Sequence, residues 1–399
     1  MRLQDIFKNP SSALNYLERI VNDGSKSGFT NIHTTSKETN PLYSESYRVK
    51  KIYYDNKKIR SYGNLPSFCK SKFDDENIYI HPDWLLGDDL NFKYVEDAEV
   101  VIPTSSSRTV KILNSNYYLK LCYPGKLGRL YRNLEYPHLM SSIELTNLLE
   151  KMKKKQNAPI KFEFMPEIGG KILYDENKEL GYIVRSIPDN IVDSIVIPGF
   201  SLFSKDKFSL EDEALIVQIL YLKDNKKEFF LENFCYPLID IFFYCALNEG
   251  IILEMHSQNV LFSFDQNWDV YKIILRDLES ADKDLTIRES LKKTNNFLSY
   301  PYKCISVNDR DYYLRHSFMY DHKLCEYLID PLIECISNKF NLNKTSIKKN
   351  IKEYVSLNYN REISRFFPED GLWYKYPNIE IDRSTKRRPF ISFENPQYR

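Results

Sequence analysis

The stretch from Leu253 to Asp277 most constrains how this chain can fold, because it sets polar side chains between strongly apolar segments. It begins with a polar run, Glu254 to Asn259. Two apolar runs follow, Val260 to Phe264 and Val270 to Leu275, with a polar turn between them. This pattern predicts a polar loop followed by a β-hairpin.

A buried helix is predicted immediately before this loop. The run Tyr236 to Leu247 is almost continuously apolar, and Asn248-Glu249-Gly250 predicts its end. The polar side chains of the loop, together with Asp277, are therefore expected at the ends of core elements.

The loop carries the oxygen donors that magnesium prefers, namely carboxylates and amides. Glu254, Asn259 and Asp277 could form a magnesium site, while His256 and Gln258 could contact phosphate or substrate. From these residues alone, a polar loop that caps a hairpin and satisfies only its own backbone explains the pattern equally well.

Length and composition narrow the class of protein. A chain of 399 residues can form two or three domains with substantial cores. Its 56 basic and 55 acidic residues nearly balance, so neither nucleic acid nor an acidic membrane is expected as the main partner. The seven cysteines never form a C-x-x-C pair, which argues against a zinc cluster or a disulfide framework. Because the first residues lack a signal-peptide core and Asp240 interrupts the most apolar segment, a cytoplasmic protein is expected.

A second polar cluster lies in the first half of the chain. The hydroxyl-rich segment Thr104 to Thr109 contains Arg108, the next predicted strand carries Lys120, and Arg129 and Arg132 follow. Hydroxyl groups donate to phosphate or carboxylate oxygens and guanidinium groups bind them bidentately, so the cluster could hold an anion. There is no glycine-rich phosphate loop, and a Ser/Thr run alone is more often a surface turn.

The rest of the chain alternates between strand and helix patterns. A short amphipathic helix is predicted at Ser11 to Val21, capped by Ser11 or Ser12. Longer helices are predicted at Tyr136 to Lys155, at Tyr320 to Phe340 with Pro331 kinking or dividing it, and at Lys344 to Leu357. Strands are predicted at Tyr47 to Tyr54, Ile78 to Ile80, Val100 to Pro103, Tyr117 to Tyr123, Ile160 to Met165, Lys171 to Tyr174 and Leu180 to Ile187.

The order and spacing of these motifs resemble the aerobactin-synthetase (IucA/IucC) family, the siderophore synthetases that work independently of nonribosomal peptide synthetases. Residues 78–84 are similar to the family's I-P-V-H-P-W-Q segment, and residues 103–109 match its P-T-S-S-x-R-T loop. Lys120 and Arg132 match a family lysine and the arginine that follows it.

The resemblance continues to the end of the chain. Residues 180–185 are similar to an L-G-x-x-x-R strand, with Glu167 where a family glutamate precedes it. Residues 254–259 match the E-x-H-x-Q-N motif, and Arg276-Asp277 matches the R-D that follows. Weaker matches are Lys375 and Asn395-Pro396, so the resemblance spans roughly residues 78–399.

This resemblance implies an α+β fold shaped like a cupped hand, with antiparallel sheets and a mainly helical C-terminal part. The implied divisions are a short N-terminal part at 1–77, a nucleotide-binding subdomain at 78–190, a palm-like subdomain at 191–300, and a helical subdomain with a tail at 301–399. Family members are commonly homodimers.

The activity that it implies is a two-step ligation that uses ATP and Mg²⁺. A carboxylate such as citrate attacks the α-phosphate of ATP to give an acyl adenylate and pyrophosphate. An amine or hydroxyl nucleophile then displaces AMP, in the synthesis of a siderophore or a related natural product. The partners are thus small-molecule carboxylates and amines.

The same resemblance assigns roles to individual residues. Ser106 and Thr109 would donate to phosphate oxygens, and the catalytic cations would be Arg108, Lys120 and Arg132. Gln258, Asn259 and Asp277 would contact the nucleotide, and Glu254, Asn259 and Asp277 would hold magnesium. His256 would lie near the acyl group. The substrate candidates are His81, Arg129, Glu167, Arg185, His256 and Lys375.

Departures from the family pattern concern the acid substrate. Family members usually have a longer N-terminal part with an H-P-x-H-P segment that helps to bind the carboxylate, whereas His81-Pro82 is the only His-Pro pair here.

Two rival interpretations remain. One is a kinase-like phosphotransferase, although the catalytic aspartate of the kinase H-x-D loop is replaced here by Gln258. The other is a non-catalytic nucleotide-binding relative.

Overall fold

The computed structural model describes most of the chain. The described residues are 1–23, 36–54, 58–69, 77–86, 94–127, 130–175, 178–192, 194–295, 297, 300, 303–367, 371–375 and 391–399.

Strands dominate the first half of the described chain and helices the second half. The strands are β1 (Tyr47–Tyr53), β2 (Ile59–Gly63), β3 (Asn77–Ile80), β4 (Tyr94–Pro103), β5 (Thr109–Ile112), β6 (Tyr117–Leu121), β7 (Lys126–Leu127), β8 (Leu130–Tyr131), β9 (Phe162–Phe164), β10 (Glu167–Asp175), β11 (Lys178–Ser186), β12 (Ile195–Pro198), β13 (Ile251–Ile252), β14 (Val260–Phe264), β15 (Val270–Leu275), β16 (Asp282–Asp284), β17 (Cys304–Ile305), β18 (Leu372–Lys375) and β19 (Ile391–Glu394).

The helices include α-helical, π-helical and 3-10 segments. The α-helices are α1 (Leu3–Lys8), α2 (Pro10–Arg19), α3 (Tyr136–Lys153), α4 (Gly199–Phe203), α5 (Leu215–Tyr221), α6 (Lys226–Phe230), α7 (Tyr236–Glu249), α8 (Leu285–Ser290), α9 (Tyr312–Ser317), α10 (Asp330–Phe340) and α11 (Lys344–Phe366). The π-helical segments are Leu231–Cys235 and Phe318–Ile329, and the 3-10 helices are Ser67–Cys69, Pro82–Leu86, Asp189–Ile191 and Leu278–Ser280.

An eight-stranded antiparallel sheet forms the first layer, in the order β2-β10-β11-β6-β5-β4-β1-β3. Successive side chains of a strand point to opposite faces of a sheet. Leu119 and Leu121 of β6 therefore enter the core that Leu139 and Ile143 of α3 cover, while Lys120 between them points to the other face. The sheet thus has one apolar face and one face available for polar chemistry.

A smaller sheet, ordered β12-β14-β15-β9, forms the second layer. Its apolar residues pack into a large core with α5, α7, α10 and the end of α3. The predicted hairpin is confirmed at its predicted bounds, β14 and β15. The predicted α+β fold with antiparallel sheets and a mainly helical C-terminal part is also confirmed.

The two sheets meet through a third, small apolar cluster. Tyr118 of the large sheet packs there with Leu261 and Ile274 of the small sheet, and Leu14 of α2 completes the contact. Because this cluster lies beside Lys120 in sequence and space, it brings the polar face of the large sheet close to the end of the hairpin.

One local prediction about a helix end was wrong. The cap of α2 is Asn9, whose side chain accepts a hydrogen bond from the Ser12 backbone N–H at 3.2 Å, so Ser11 and Ser12 lie inside the helix. Pro331 lies where the predicted helix is divided, as one of the two alternatives stated, because a π-helical segment ends at Ile329 and α10 begins at Asp330. It occupies the first turn of α10, directly after a π-helical segment, where its missing N–H costs little.

The predicted apolar helix is longer than expected. A π-helical segment joins α6 to α7, and the end at Gly250 is confirmed, with φ of +63°. The continuous stretch Lys226–Glu249 has 24 residues, and an 18-residue window within it has a mean hydropathy of 1.3, so among the described helices it alone has the length and composition to cross a membrane. Of that window, 67% is buried within the protein, which is typical of a core helix instead.

Gly170 allows α3 to pack closely on the large sheet. A Cβ atom there would lie 2.3 Å from the Tyr182 carbonyl oxygen and 2.7 Å from Leu139 Cδ1. We therefore expect Gly170→Ala to lower the free energy of unfolding by about 1–3 kcal/mol, measured by urea unfolding. Gly125→Ala is the matched control, because its Cβ would meet only a ring carbon at 3.9 Å. Equal stability of the two variants would contradict this packing.

Candidate active site

A polar cavity of about 240 Å³ opens where the two sheets meet. It is lined by Thr104, Ser106, Arg108, Thr109, Lys120, Arg132, Arg185, Glu254, His256, Gln258, Asn259, Arg276, Asp277, Glu279, Ser280 and Lys303. The Ser/Thr loop and the polar loop before the hairpin, which are about 150 residues apart in sequence, therefore face each other across one site.

The loop Thr104 to Thr109 is held by its own hydroxyl groups. Thr104 Oγ1 donates to the Thr109 carbonyl oxygen at 2.7 Å, and the Thr109 N–H donates to Ser106 Oγ at 3.0 Å. Ser107 adopts a left-handed backbone with φ of +62°, which is uncommon for a serine. Such strained backbone clusters at binding sites, where the fold maintains it against its local cost.

Lys120 is the most buried cation of the cavity, with 1% of its surface exposed. Strand register sets its surroundings, because Thr109 pairs with Lys120 and Tyr118 pairs with Arg185, which places these side chains on one face. The Lys120 ammonium contacts the Asp277 carboxylate very closely, and Arg185 Nη2 donates to Asp277 Oδ1 at 3.1 Å.

Glu279 is a site residue that sequence analysis missed. Its Oε1 lies 2.8 Å from Lys120 Nζ and 3.4 Å from Arg108 Nη2. A carboxylate two residues after Asp277 is the only local signal, because its partners come from a distant part of the chain. With Asp277, it surrounds the Lys120 ammonium with charge from the opposite sheet.

The E-x-H-x-Q-N loop is fixed by contacts with the end of the hairpin. The Asn259 side-chain nitrogen donates to the Glu254 carbonyl at 3.1 Å, and Arg276 Nε donates to the Gln258 carbonyl at 2.7 Å. The Gln258 backbone N–H donates to His256 Nδ1 at 3.2 Å. Since Nδ1 accepts a bond, the neutral imidazole carries its proton on Nε2.

Glu254 is paired with two lysines that sequence analysis also missed. Its carboxylate lies 2.7 Å from Lys323 Nζ and 3.9 Å from Lys303 Nζ. Lys323 belongs to the π-helical segment before α10 and is 5% exposed. The sequence carries no clear signal for this partner, because Asp321, His322 and Glu326 are polar neighbours in the same helical segment and Lys323 does not stand out among them.

All three carboxylates of the cavity are held in the charged form. Burial raises their pKa, but the neighbouring cations outweigh it. Lys120 chiefly lowers the pKa of Glu279 to about 2 and that of Asp277 well below its usual range, and Lys323 does the same for Glu254.

Basic side chains nevertheless outnumber acidic ones in the lining of the cavity. Three acidic side chains, Glu254, Asp277 and Glu279, face six basic ones in the lining. Burial and the nearby Arg108 lower the pKa of Arg132 to about 10, so it is still charged at neutral pH. A cavity with excess positive charge and crowded guanidinium groups suits a polyanionic ligand.

The donor set also fits a magnesium ion that is shared with phosphate. Two carboxylates and one amide, from Glu254, Asp277 and Asn259, line the same cavity. Within the described ranges, no group of three or more His, Cys, Asp and Glu side chains is placed to hold a metal by itself. Mg²⁺ usually takes few protein ligands and completes its coordination shell with phosphate and water.

Three of the predicted substrate residues lie outside the cavity lining. His81 is fully buried, with Nε2 3.3 Å from the Tyr47 hydroxyl. Glu167 is buried behind the site and accepts from Arg185 at 2.6 Å. Lys375 lies on β18 and pairs with Glu326 at 2.9 Å. A fourth, Arg129, lies outside the described residues.

Solved structures of siderophore synthetases share this fold. Petrobactin biosynthesis protein AsbB from Bacillus anthracis str. Sterne superposes with a TM-score of 0.77 at 16% identity, covering 96% of this chain and 74% of that one. ATP-bound aerobactin synthetase IucA from a hypervirulent pathotype of Klebsiella pneumoniae gives 0.69 at 14% identity, covering 90% and 71%. Aerobactin synthetase IucC from the same pathotype gives 0.63 at 12%, covering 83% and 65%.

The IucA / IucC family model matches residues 91–204. The predicted resemblance to the IucA / IucC family is confirmed. The matched region contains the Ser/Thr loop, Lys120, Arg132 and Arg185, and it ends before the E-x-H-x-Q-N motif. No curated protein matches the sequence significantly. The second half of the IucA / IucC-like fold is therefore supported by the superposed structures.

The buried imidazoles predict acid sensitivity. Burial lowers the pKa of His256 to about 4, from an ordinary value of 6.5. The unfolded chain therefore binds the proton more readily, and stability that is present above pH 6.5 is lost as pH falls toward 4. We expect the free energy of unfolding to fall by about 2 kcal/mol per such histidine between pH 7 and pH 5. Urea unfolding at the two pH values measures this loss.

In a His256→Gln variant, the free energy of unfolding should depend less on pH, because the contribution of His256 is removed. The variant should keep the contribution of His81, whose pKa burial also lowers to about 4. Gln258→Ala, which removes a neighbouring group that does not titrate, is the control and should show the wild-type pH dependence. An unchanged slope in His256→Gln would contradict the assignment.

Proposed function

We propose that this chain is an ATP-dependent ligase that activates a carboxylic acid as an acyl adenylate and joins it to an amine or hydroxyl nucleophile. The observation that carries the proposal is the convergence of phosphate-binding groups from the large sheet and carboxylates from the hairpin end in one cavity. The ATP-bound state of the superposed IucA supports ATP as the nucleotide.

In the proposed complex, the triphosphate lies across the loop Thr104 to Thr109. Ser106 and Thr109 donate to phosphate oxygens, while Arg108, Lys120 and Arg132 balance the phosphate charge. Glu254, Asn259 and Asp277 would hold Mg²⁺, which neutralises phosphate charge when bound. Phosphate oxygens then replace Asp277 and Glu279 as partners of the Lys120 ammonium.

The first step forms the acyl adenylate. A carboxylate oxygen of the acid attacks the α-phosphorus, and the bond from that phosphorus to the bridging oxygen breaks. Pyrophosphate leaves with the electron pair. The cations of the cavity stabilise the charge that develops on the phosphate oxygens, and groups that are already in position do so without reorganisation.

The second step forms the product. The nucleophilic nitrogen bonds to the acyl carbon, the bond from that carbon to the AMP oxygen breaks, AMP leaves with the electron pair, and the amine proton passes to water. His256 is uncharged at neutral pH and carries a proton on Nε2, so its role is to donate a hydrogen bond to the acyl group. Its lowered pKa makes it a weak base.

The acid substrate is a di- or tricarboxylate such as citrate. Its other carboxylates would meet cations that the triphosphate leaves free, and Arg185 and Lys303 are the candidates within the cavity. Glu167 would act through Arg185, which it orients from behind. The product would be a siderophore or a related amide or ester.

Product analysis tests this function. With magnesium ATP, a panel of di- and tricarboxylates, and amine or hydroxylamine acceptors, we expect carboxylate-dependent release of AMP and pyrophosphate. Arg108→Ala should lower this rate by about 100-fold or more, because it removes a cation at the developing charge. Arg48→Ala, which removes an exposed arginine of the same sheet, should leave the rate unchanged. Formation of ADP would instead indicate a phosphotransferase, and ATP binding without turnover across the panel would favour a binding protein.

A further inference from the structure

A carboxylate from the second helix, α2, lies directly behind the cavity. Glu18 is in the last turn of α2 and is 2% exposed. Leu14 and Leu17 bury the apolar side of α2, which packs on β12 of the small sheet. A carboxylate at this depth is stable only with charged or hydrogen-bonding partners, and the partners of Glu18 belong to both halves of the site.

One oxygen of Glu18 holds the Ser/Thr loop. Glu18 Oε2 accepts from the Ser105 hydroxyl at 2.8 Å and from the Ser105 backbone N–H at 3.3 Å. Ser105 is buried and does not itself line the cavity, but its neighbours Ser106 and Arg108 do. The bond therefore fixes the loop from the side that faces away from the ligand.

Both oxygens of Glu18 accept hydrogen bonds from Arg276 at the end of the hairpin, Oε2 from Nη2 at 3.4 Å. Arg276 Nη1 donates to Glu18 Oε1 at 2.5 Å, and Arg276 Nε donates to the Gln258 carbonyl at 2.7 Å. Arg276 directly precedes Asp277 and its backbone N–H donates to the Asn259 carbonyl at 2.9 Å. One guanidinium thus connects Glu18 to the E-x-H-x-Q-N loop and to the R-D pair.

We propose that Glu18 is a positioning residue that sets the distance between the phosphate-binding loop and the opposing carboxylate loop. The inference rests on the proposed function, because it concerns how the two halves of the nucleotide site are held together. Removal of Glu18 leaves the Arg276 guanidinium without its carboxylate and the Ser105 hydroxyl without its acceptor. Both loops then lose their common anchor. Glu18 does not line the cavity, so it acts through Ser105 and Arg276.

The test is calorimetric binding of magnesium ATP to the full chain, with thermal unfolding measured in parallel. We expect Glu18→Gln to weaken ATP binding by about tenfold or more. The substitution disturbs two binding loops, so the loss of binding free energy should exceed that of one hydrogen bond. The matched control is Glu249→Gln, which removes another buried carboxylate that is paired with cations, namely Lys155 at 2.8 Å and Lys293 at 2.9 Å. It should lower the unfolding temperature comparably and leave ATP affinity within about twofold.

A double-mutant cycle separates positioning from general stability. Ser105→Ala should weaken ATP binding, and the combination of Ser105→Ala with Glu18→Gln should be no weaker than Glu18→Gln alone, because both changes break the same link. Additive effects would overturn the inference. So would wild-type ATP affinity in Glu18→Gln, or equal losses of affinity in Glu18→Gln and Glu249→Gln. If the wild-type chain itself binds no ATP, the proposed function fails, and this inference fails with it.

Discussion

The site depends on the burial of one ammonium group between two carboxylates. Lys120 extends from the middle of β6, and Asp277 and Glu279 approach it from the end of the hairpin. A buried ammonium is stable only when charged partners replace its water. This requirement ties the polar face of the large sheet to the small sheet, and it gathers in one place the groups that would bind phosphate and metal.

The chain reaches this arrangement by separating packing from chemistry along each strand. Leu119 and Leu121 enter the core under α3, while Lys120 between them faces the cavity. The hairpin behaves similarly, because its apolar residues fill the large core and its polar ends are left at the site. A substitution of a cavity residue can therefore remove a ligand contact without creating a void in a hydrophobic core. The variants proposed above are informative about function for this reason.

Local signals explain what could be predicted from the sequence. The hairpin is marked by two apolar runs around a polar turn, and the Ser/Thr loop and Lys120 by compact motifs, so both halves of the site were predicted. Glu18, Glu279 and Lys323 were missed because their partners lie far away in the chain. A buried residue that pairs with a distant one produces no local pattern in the sequence. The π-helical segment before Pro331 was also not predicted, since helix propensity does not signal it.

The central claim is that phosphate groups replace carboxylates as partners of Arg108 and Lys120. A crystal structure of the chain with magnesium and a non-hydrolysable ATP analogue tests it most directly. The account predicts phosphate oxygens within hydrogen-bond distance of Arg108, Lys120 and Arg132, and a metal held by Asp277. A nucleotide bound elsewhere, or a Lys120 ammonium still paired with Asp277 and Glu279 in the complex, would contradict it.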